Sequence, residues 1–325
     1  MVPQSVIGFI WKRVVLIFPT LLVVSAIVFL IFHLLPGNVI GVTIGDFPSS
    51  STIKKQMERD LGLDDPLFSQ YLSWIWSLVN GEFGGYSLHT KESLRSIFAR
   101  QIPVTFLLTS YSLILSILLG IPLGIFGALT KNHWFKLGFR LISVFGLAVP
   151  QILFCIGVLL ACLYIFDWSP PIMYSSLVDS AWPHFQIMIF PTLILSFELS
   201  CNIARVTRSS MLEVLTNDYI LTARSKGLKD STVWLNHGLP NVIPSVITFL
   251  GLQIGLLFTG VVVVETVFGL PGMGRGIVQA ALARDYPVVQ SMVVFLVFIS
   301  ILVNLIAESI CMLFSPSIRE RLLGK

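Results

Sequence analysis

Six long apolar stretches constrain the fold of this chain more than any other feature. They run for 18 to 26 residues each, at 14–35, 104–129, 141–166, 187–204, 242–264 and 288–313. A helix needs roughly 20 apolar residues to cross the hydrocarbon core of a bilayer. Only 12% of the 325 residues are charged, and soluble domains carry about twice that share. The sequence therefore predicts an all-α integral membrane protein with six transmembrane helices.

The first stretch follows Lys12 and Arg13 and so resembles the start of a secretory signal. Its apolar run is longer than the core of a signal peptide, and the "HLLPGN" after it offers no cleavage site between small residues. We expect it to be retained as the first transmembrane helix.

The basic residues predict the orientation, because short cytoplasmic loops are enriched in Lys and Arg. With the N-terminus inside, the inner segments hold 13 of the 21 basic residues, and the short outer loops hold only Arg275 and Arg284. The other six lie in the loop 36–103, whose length largely exempts it from this rule. We therefore expect residues 1–13 and 315–325 in the cytoplasm. The net charge of +4 then gives no indication of nucleic-acid binding.

The long outer loop, 36–103, is expected to be partly helical. Thr52 can cap a helix over "IKKQMERDL", with Gly62 as its stop, and "PLFSQYLSWIWSLVNG" repeats apolar residues at helical spacing. Trp74 and Trp76 would suit a helix at the level of the lipid headgroups. The loop is predicted to form a small structural cap.

Small residues at four-residue spacing indicate where helices approach closely in lipid. Gly120, Gly124 and Ala128 supply such a face in the second stretch, and Gly251 and Gly255 supply one in the fifth. We expect a tightly packed bundle.

Other residues in the apolar stretches have expected structural roles. Pro122 and Pro150 should kink their helices. The four cysteines show no CxxC spacing and are expected to be small buried hydrophobes.

Charged residues within membrane spans are candidates for function. Glu198, Asn202 and Arg205 fall on one helical face at i, i+4 and i+7. They are either satisfied locally, with Arg205 reaching the inner headgroups, or they form a polar strip along a solute path. Asn304 and Glu308 repeat the spacing in the last stretch, where we expect a contact to a neighbouring helix near the cytoplasmic end.

The sequence contains no motif that could supply energy or catalysis. It lacks the GxxxxGK[ST] phosphate loop and a nucleophile elbow. "GLPGMGRG" is rich in glycine, but it follows a predicted span on the outer side, so it predicts tight turns at a helix entry. We therefore expect a non-enzymatic chain without a cofactor. If it moves a solute uphill, the energy enters from another subunit at the cytoplasmic surface.

A segment between the fourth and fifth stretches is too polar to span the membrane. "SSMLEVLTNDYILTARS" is predicted to form one helix that leaves the fourth span, and Gly227 can end it in the left-handed conformation. "KDSTVWLNHG" restarts a helix with Asp230 or Ser231 as N-cap. Pro240 and Pro244 mark the entry to the fifth span. The pattern indicates two short helices joined at a glycine corner.

This segment resembles the cytoplasmic loop of ABC-importer permeases. The signature of that loop is E-A-A, three residues, G, nine residues, then I-x-L-P. Aligned on Gly227, Ala223 takes the place of the second alanine, and Leu239 and Pro240 take those of the leucine and proline.

Three positions depart from the signature, because Leu221, Thr222 and His237 replace the usual Glu, Ala and Ile. Further stretches nevertheless resemble the B-type permease subunit of dipeptide, oligopeptide and nickel importers, in the family's order along nearly the whole chain. They are "LGLDDPLFSQYLSW", "NGEFGGYSL", "RQIPVTFLLT", "GIPLGIFGAL", "NDYILTARSKGL", "VVETVFGLPGMGR", "ARDYPVVQ" and "SPSIR".

The resemblance implies a transmembrane domain of the type I importer fold at 104–314, including a coupling loop at 209–240. It implies a bacterial inner-membrane complex with a second, C-type permease subunit, two cytoplasmic ATPases that bind ATP and Mg, and an extracytoplasmic solute-binding protein. The helix that ends near Gly227 would be the coupling helix. The expected ATPase-coupling residues are Tyr219, Ala223, Arg224, Lys226, Gly227, Leu239 and Pro240.

The resemblance implies that the chain forms half of a pathway for dipeptides or oligopeptides across the cytoplasmic membrane. Glu198 and Asn202 are the candidate residues of this translocation path. Importers of nickel chelates or glutathione share the same motifs. An ion-coupled secondary carrier that uses Glu198 and Glu308 as proton sites is the alternative from another class, and a membrane scaffold or receptor is a third.

Overall fold

The computed structural model describes residues 4–34, 65–169, 171 and 174–314, and it is helical over most of them. Among these residues the only extended pairing is an isolated bridge between Tyr86 and Ser93. The helices are α1 (Gln4–Leu34), α2 (Leu67–Val79), α3 (Leu94–Leu129), α4 (His133–Ala148), α5 (Gln151–Phe166), α6 (Ala181–Leu215), α7 (Asp218–Ser225), α8 (Asp230–Thr232), α9 (Leu239–Phe268), α10 (Met273–Leu282) and α11 (Tyr286–Phe314). A π-helical turn, Val233–Gly238, joins α8 to α9.

Five helical segments in the described part of the chain are long and apolar enough to cross a membrane. They are Trp11–Leu34, Leu94–Leu129, Ala181–Leu215, Asp230–Phe268 and Tyr286–Ile310. The pair α4 and α5 makes a sixth if it counts as one span. The predicted all-α membrane fold is confirmed, with five or six spans.

The third predicted span, 141–166, is not one helix. It breaks at Pro150, where α4 and α5 meet at 106°. Val149 before the break has φ −83° and ψ 120°, an extended conformation. Proline lacks an amide hydrogen and disfavours the helical conformation of the preceding residue. The expected kink at Pro150 is thus a complete break, whereas Pro122 lies inside the unbroken α3.

The helix predicted at the end of the long loop is confirmed as α2. Its two tryptophans differ in environment. The Trp76 side chain is 68% exposed, whereas Trp74 is only 8% exposed and donates through Nε1 to Ser291 Oγ at 3.2 Å. Protein therefore buries the Trp74 ring, and of the two tryptophans only Trp76 is open to the surroundings. The location of α2 at the headgroup level stays a prediction. The helix predicted at 52–62 lies outside the described residues.

The chain divides into two compact units. The larger unit comprises residues 1–14, 107–268 and 300–325, and the smaller comprises 15–106 and 269–299. In the larger unit α9 packs most extensively against α6, while α4 packs on α6 and α5 packs on both α6 and α9.

Two glycines of α3 allow a close crossing with α6 in the larger unit. A Cβ added to Gly120 would lie 2.7 Å from the Cβ of Ile203, and one added to Gly124 would lie 2.6 Å from the Cβ of Thr207. Real Cβ atoms do not approach so closely, so only hydrogen fits at either position. The close-packing face predicted at these two glycines is confirmed.

The last helix makes a second close crossing in the larger unit. A Cβ on Gly251 would lie 2.9 Å from the Cβ of Ala307, but one on Gly255 would meet nothing within 4 Å, so the prediction holds for Gly251 alone. Glu308 accepts an ion pair from Arg13 Nε at 3.2 Å. The contact predicted for Glu308 with a neighbouring helix is confirmed.

A buried carboxylate organises the smaller unit. Asp285 is 3% exposed and accepts hydrogen bonds from the Ser87 hydroxyl and from the backbone amides of Leu88, at 3.1 Å, and His89, at 3.3 Å. Hydrogen bonds to a charged acceptor are stronger than those between neutral groups. Asp285 thereby joins the loop before α3 to the start of α11.

The glycine-rich stretch at 269–276 forms the entry to α10, as predicted. Gly269 has φ +71°, and Gly272 is the N-cap residue of α10. The amide of Met273 donates to Thr105 Oγ1 of α3 at 2.8 Å. This stretch is therefore a structural turn in the smaller unit.

Candidate functional site

The corner segment, residues 217–240, begins with a helix break that differs from the sequence prediction. Residues 209–225 were predicted as one helix, but α6 ends at Leu215 and α7 starts at Asp218. Asn217 between them has φ −73° and ψ 149°, which is extended. Asn side chains favour helix caps over helix interiors. The prediction of a single helix across Asn217 is wrong, and α7 is an independent two-turn helix.

Gly227 ends α7 as the sequence predicts. Its φ is +78°, in the left-handed region that side chains with a Cβ rarely adopt. Its amide donates to the carbonyl of Arg224 at 2.9 Å, which satisfies a carbonyl of the last turn. A Cβ at Gly227 would meet no atom within 4 Å, so the requirement for glycine comes from the backbone dihedral and not from crowding.

The chain restarts as a helix one residue earlier than predicted. Lys229 is the N-cap residue and makes no side-chain cap, so the prediction of Asp230 or Ser231 as N-cap is wrong. Asp230 lies in the first turn instead, where a negative charge is favoured. Its carboxylate Oδ1 lies 3.3 Å from Arg224 Nε across the glycine corner.

The corner segment has two arms, α7 before Gly227 and the helical residues 230–240 after it. The second arm continues into α9 without a break, forming one helical run, Asp230–Phe268. Pro240 and Pro244 therefore lie inside this run and do not mark its beginning. The π-helical turn ends at Gly238, two residues before Pro240, whose ring would clash with a carbonyl four residues earlier in a regular α-helix. The wider turn accommodates the proline, and such turns are frequent at functional sites.

The inner face of the corner segment packs on the chain itself. Ile220 and Val233 are fully buried and Ala223 is 7% exposed; the three form one apolar cluster, against which Leu215 packs. Ala223 was predicted as an external contact residue, but the structure uses its side chain to pack α7 against the second arm. Gly238 packs on α6, where its Cβ would lie 3.0 Å from Met211 Cε.

Several large apolar side chains of the corner segment are exposed. Tyr219 is 43% exposed, Leu221 52%, Leu228 41% and Leu235 46%. Exposed apolar side chains that cluster on one segment indicate an interaction surface. Of the predicted contact residues, those exposed are Tyr219, Arg224, Lys226, Gly227 and Pro240, and Leu239 is half-buried.

A polar cavity of about 320 Å³ lies among α5, α6 and α9 in the larger unit. It is lined by Gln151, Leu195, Glu198, Leu199, Asn202, Gln253, Leu256, Leu257, Thr259 and Gly260. The structure therefore places both predicted path residues, Glu198 and Asn202, at one cavity.

Glu198, Asn202 and Arg205 of α6 were expected either to be satisfied locally or to form a polar strip along a solute path. The structure supports a different alternative for different residues. Asn202 is 8% exposed, donates to the Glu198 carbonyl at 3.3 Å and accepts from Arg205 Nη2 at 3.4 Å. It is thus satisfied locally. Glu198 is exposed at the cavity, whereas Arg205 does not line it.

Two amide side chains of this cavity were missed in the sequence. Gln253 lies in the middle of the fifth predicted span, where a polar side chain is costly without a partner or water. That position was a sufficient signal to include it. No sequence pattern predicts that Gln151 lines the cavity, because its position depends on packing against α9. A Cβ at Gly260 of α9 would lie 2.8 Å from the Gln151 amide. Glycine therefore leaves room for this side chain at the cavity.

A third polar group, at the start of α6, is structural. His184 is fully buried, its Nδ1 donates to the Ser175 carbonyl at 3.0 Å, and its Nε2 accepts from the Tyr111 hydroxyl at 3.4 Å. Burial, and then the proximity of Tyr111 and Asp179, raise the pKa of Tyr174 in the loop beside it. With both ring nitrogens engaged, His184 fixes this loop onto α6.

Two family models match the chain. Residues 120–320 match the binding-protein-dependent transport system inner membrane component, and residues 6–109 match the N-terminal part of the membrane component of such systems. Together these matches include the corner segment and all the residues that line the polar cavity.

Individual proteins are similar over almost the whole length. A glutathione transport system permease protein of Salmonella paratyphi A is 37% identical over 318 residues, covering 97% of this chain and 100% of that protein. A Brucella abortus protein named for a peptide transport system permease is 35% identical over 310 residues, covering 95% of this chain and 98% of that protein.

The fold is also found among solved structures. A chain of the MetNI methionine ABC transporter superposes with a TM-score of 0.53 at 17% identity, covering 67% of this chain and 96% of that one. At this identity the likeness concerns the fold alone. The family matches and the close relatives go further: the chain belongs to the binding-protein-dependent transport system inner membrane components, the multi-pass permease subunits of ABC importers.

Proposed function

We propose that this permease forms half of the translocation pathway of an ATP-driven importer of small peptides. The observation that carries this proposal is the similarity, over at least 95% of the chain, to permeases named for peptide and for glutathione transport. Glutathione is itself a tripeptide, so both names indicate the same chemical class of solute.

The polar cavity supports a peptide as the solute. Its volume of about 320 Å³ lies at the lower end of the range for small-molecule sites. The Glu198 carboxylate can pair with the ammonium group of a peptide N-terminus. The amides of Gln151 and Gln253 can donate to and accept from a peptide backbone.

The corner segment is the proposed contact with a cytoplasmic ATPase. Its exposed apolar residues offer an interface, and its buried face anchors it to α6 and to the run that becomes α9. Because the second arm is continuous with a membrane span, a displacement of this segment would tilt that span as a rigid body. Alternation between two such states would expose the pathway to one side at a time. ATP and Mg would be bound by the ATPase, and this chain would need no cofactor.

The other partners follow from the same proposal. A second, C-type permease would complete the pathway, two ATPases would bind the cytoplasmic face, and a solute-binding protein would deliver peptide outside. Both termini would be cytoplasmic, as supported by the 13 basic residues of the inner segments. Glu308, the second proton site of an ion-coupled carrier, is paired with Arg13, which favours the ATP-driven function over that alternative.

Uptake by the assembled importer in proteoliposomes tests this proposal. We expect uptake of labelled dipeptides and tripeptides to require ATP inside and to continue without a proton gradient. We expect an N-acetylated peptide to be a poorer substrate, and Glu198→Gln to remove that preference. Uptake of a nickel chelate but not of peptides would overturn the assignment of solute. Uptake driven by a proton gradient without ATP would overturn the mechanism.

A further inference from the structure

A second cavity in the larger unit, between α4 and α6, is lined by an excess of positive charge. It has a volume of about 370 Å³ and is lined by His133, Lys136, Leu137, Phe139, Arg140, Ser143, Val144, Leu147, Arg205 and Arg208. Four of these ten residues are Lys or Arg, one is His, and none is acidic. We call this cavity the basic pocket.

The basic residues come from two helices that are distant in sequence. His133, Lys136 and Arg140 lie on one face of α4 at i, i+3 and i+7, and Arg205 and Arg208 lie one turn apart on α6. Over the residues that the structure describes, none of the five forms an ion pair. Like charges around one cavity repel each other in a poorly screened environment. Such an arrangement is stabilised when an anion occupies the cavity.

One of the arginines is held in place by the protein. Arg208 Nε donates to the Gly127 carbonyl at 3.1 Å, and its guanidinium lies 5.7 Å from the centre of the Phe139 ring. A fixed guanidinium presents its remaining donors in a planar array that matches the oxygens of a phosphate. The basic pocket therefore has one preorganised donor, Arg208, with further positive charges around it.

Apolar side chains lie beside the charges of the basic pocket, as a lipid-binding site requires. Leu137, Val144 and Leu147 line it beside the charges, and on the same helix Trp134 is 78% exposed and Ile142 is 56% exposed. A free phosphate ion would gain nothing from these apolar groups, whereas acyl chains would cover them. Basic pockets between transmembrane helices are known to bind lipid headgroups on the cytoplasmic side of membranes.

We infer that the basic pocket binds the phosphate headgroup of an anionic phospholipid, with Lys136, Arg140 and Arg208 around the phosphate and the acyl chains along α4. This site goes beyond the transport function. It depends on the fold and not on which solute is carried. It would attach the first half of α4 to the surrounding bilayer.

Native mass spectrometry of the purified full-length chain tests the inference. The chain is mixed with phosphatidylglycerol and phosphatidylcholine of the same acyl chains, so that only the headgroups differ. We expect preferential retention of phosphatidylglycerol. In the variant Lys136→Gln/Arg140→Gln we expect about a thirtyfold weaker affinity, because each basic side chain near an anionic lipid contributes a factor of about five.

Matched variants separate the pocket from general electrostatics. Lys91→Gln/Arg95→Gln removes the same charge from exposed positions of the smaller unit and should leave lipid binding unchanged. Lys136→Arg/Arg140→Lys keeps the charge and should keep the affinity. Both α4 side chains are exposed, and retained helical circular dichroism identifies variants that are folded. An equal loss in the two glutamine variants would overturn the inference.

Two further measurements distinguish a lipid from other occupants of the basic pocket. Inorganic phosphate in excess should fail to displace the lipid, and complete displacement by phosphate would overturn the assignment to a lipid. The assembled importer should retain phosphatidylglycerol as well as the isolated chain does. Loss of the lipid on assembly, with protection of the pocket by another subunit, would instead make it a protein interface and overturn the inference.

Discussion

Arg224 Nε lies 3.3 Å from Asp230 Oδ1, so an ion pair spans the corner at Gly227 and joins the two arms of the corner segment. The two side chains are 46% and 82% exposed, and pairs so exposed contribute little to stability, about 0–1 kcal/mol. Their location is more informative than their strength. Arg224 is exposed, as are Tyr219 and Leu228 of the proposed interface.

Charge reversal at Arg224 and Asp230 tests whether Arg224 acts through its ion pair within the chain or through the proposed contact with the ATPase. For Arg224→Glu we expect peptide uptake per ATP hydrolysed to fall about tenfold, equivalent to about 1.4 kcal/mol of coupling, because the substitution places a negative charge on the proposed interface. Asp230→Asn should remain close to the wild type. The double swap Arg224→Glu/Asp230→Arg restores the pair but not the interface, so uptake should stay low. Full recovery in the double swap would show that only the internal pair matters.

Substitutions at Gly227 test the corner itself. Because φ is +78° and no atom crowds the position, Gly227→Ala should destabilise the corner by about 1–2 kcal/mol. Gly227→Asn should cost less, because Asn tolerates the left-handed conformation. ATP-coupled uptake should follow the order Gly, Asn, Ala and then Val. Gly157→Ala is the control, since its Cβ also meets no atom within 4 Å and its φ is not positive. Equal activity of the Ala, Asn and Val variants would contradict the requirement for a left-handed residue.

Substitutions in α3 test its close crossing with α6. A Cβ on Gly124 would lie 2.6 Å from both the Thr207 Cβ and the Ala204 carbonyl. Overpacking of this kind costs about 1–3 kcal/mol, so Gly124→Ala should lower the thermal unfolding temperature of the detergent-solubilised chain. Gly138→Ala, where a Cβ meets nothing within 4 Å, is the matched control. An unchanged unfolding temperature for Gly124→Ala would show that the two helices can separate without cost.

Asp285 should be a main determinant of stability in the smaller unit. Asp285→Asn removes the charge and replaces one acceptor oxygen with a donor that faces other donors. We expect a loss of about 1.5–3 kcal/mol, the range for buried hydrogen bonds to a charged group. Urea or thermal unfolding of the chain in detergent measures it. The exposed Asp179→Asn removes the same charge as a control. A similar effect of the two substitutions would point to net charge as the cause.

Local patterns in the sequence were sufficient for much of this structure. Lengths of apolar sequence predicted the spans, the conformational freedom of Gly227 predicted the end of α7, and helical spacing put Glu198 and Asn202 on one face. Each of these features depends on a few consecutive residues. The resemblance to the importer permeases, confirmed by the family matches, rested on such local motifs as well.

The break at Asn217 follows a local preference of Asn for helix caps, but three other features that the sequence does not predict have a different physical origin. Whether Pro150 bends or breaks its helix depends on how α4 and α5 pack elsewhere. Trp74 is buried among residues distant in sequence, Phe29 and Val294, and Ser291, more than 200 residues later, accepts its hydrogen bond. Gln151 reaches the polar cavity through space left by Gly260. These outcomes depend on tertiary contacts that no short stretch encodes.

Photo-crosslinking from the corner segment tests the central claim most directly. A benzoylphenylalanine is placed at Tyr219 in the assembled importer, and at the 79% exposed Tyr164 of α5 as a control. The proposed coupling predicts a crosslink from position 219 to an ATP-hydrolysing subunit, sensitive to nucleotide, and none from position 164. A position 219 that never crosslinks to an ATPase, or that reacts with a reagent confined to the outside of the cell, would contradict it.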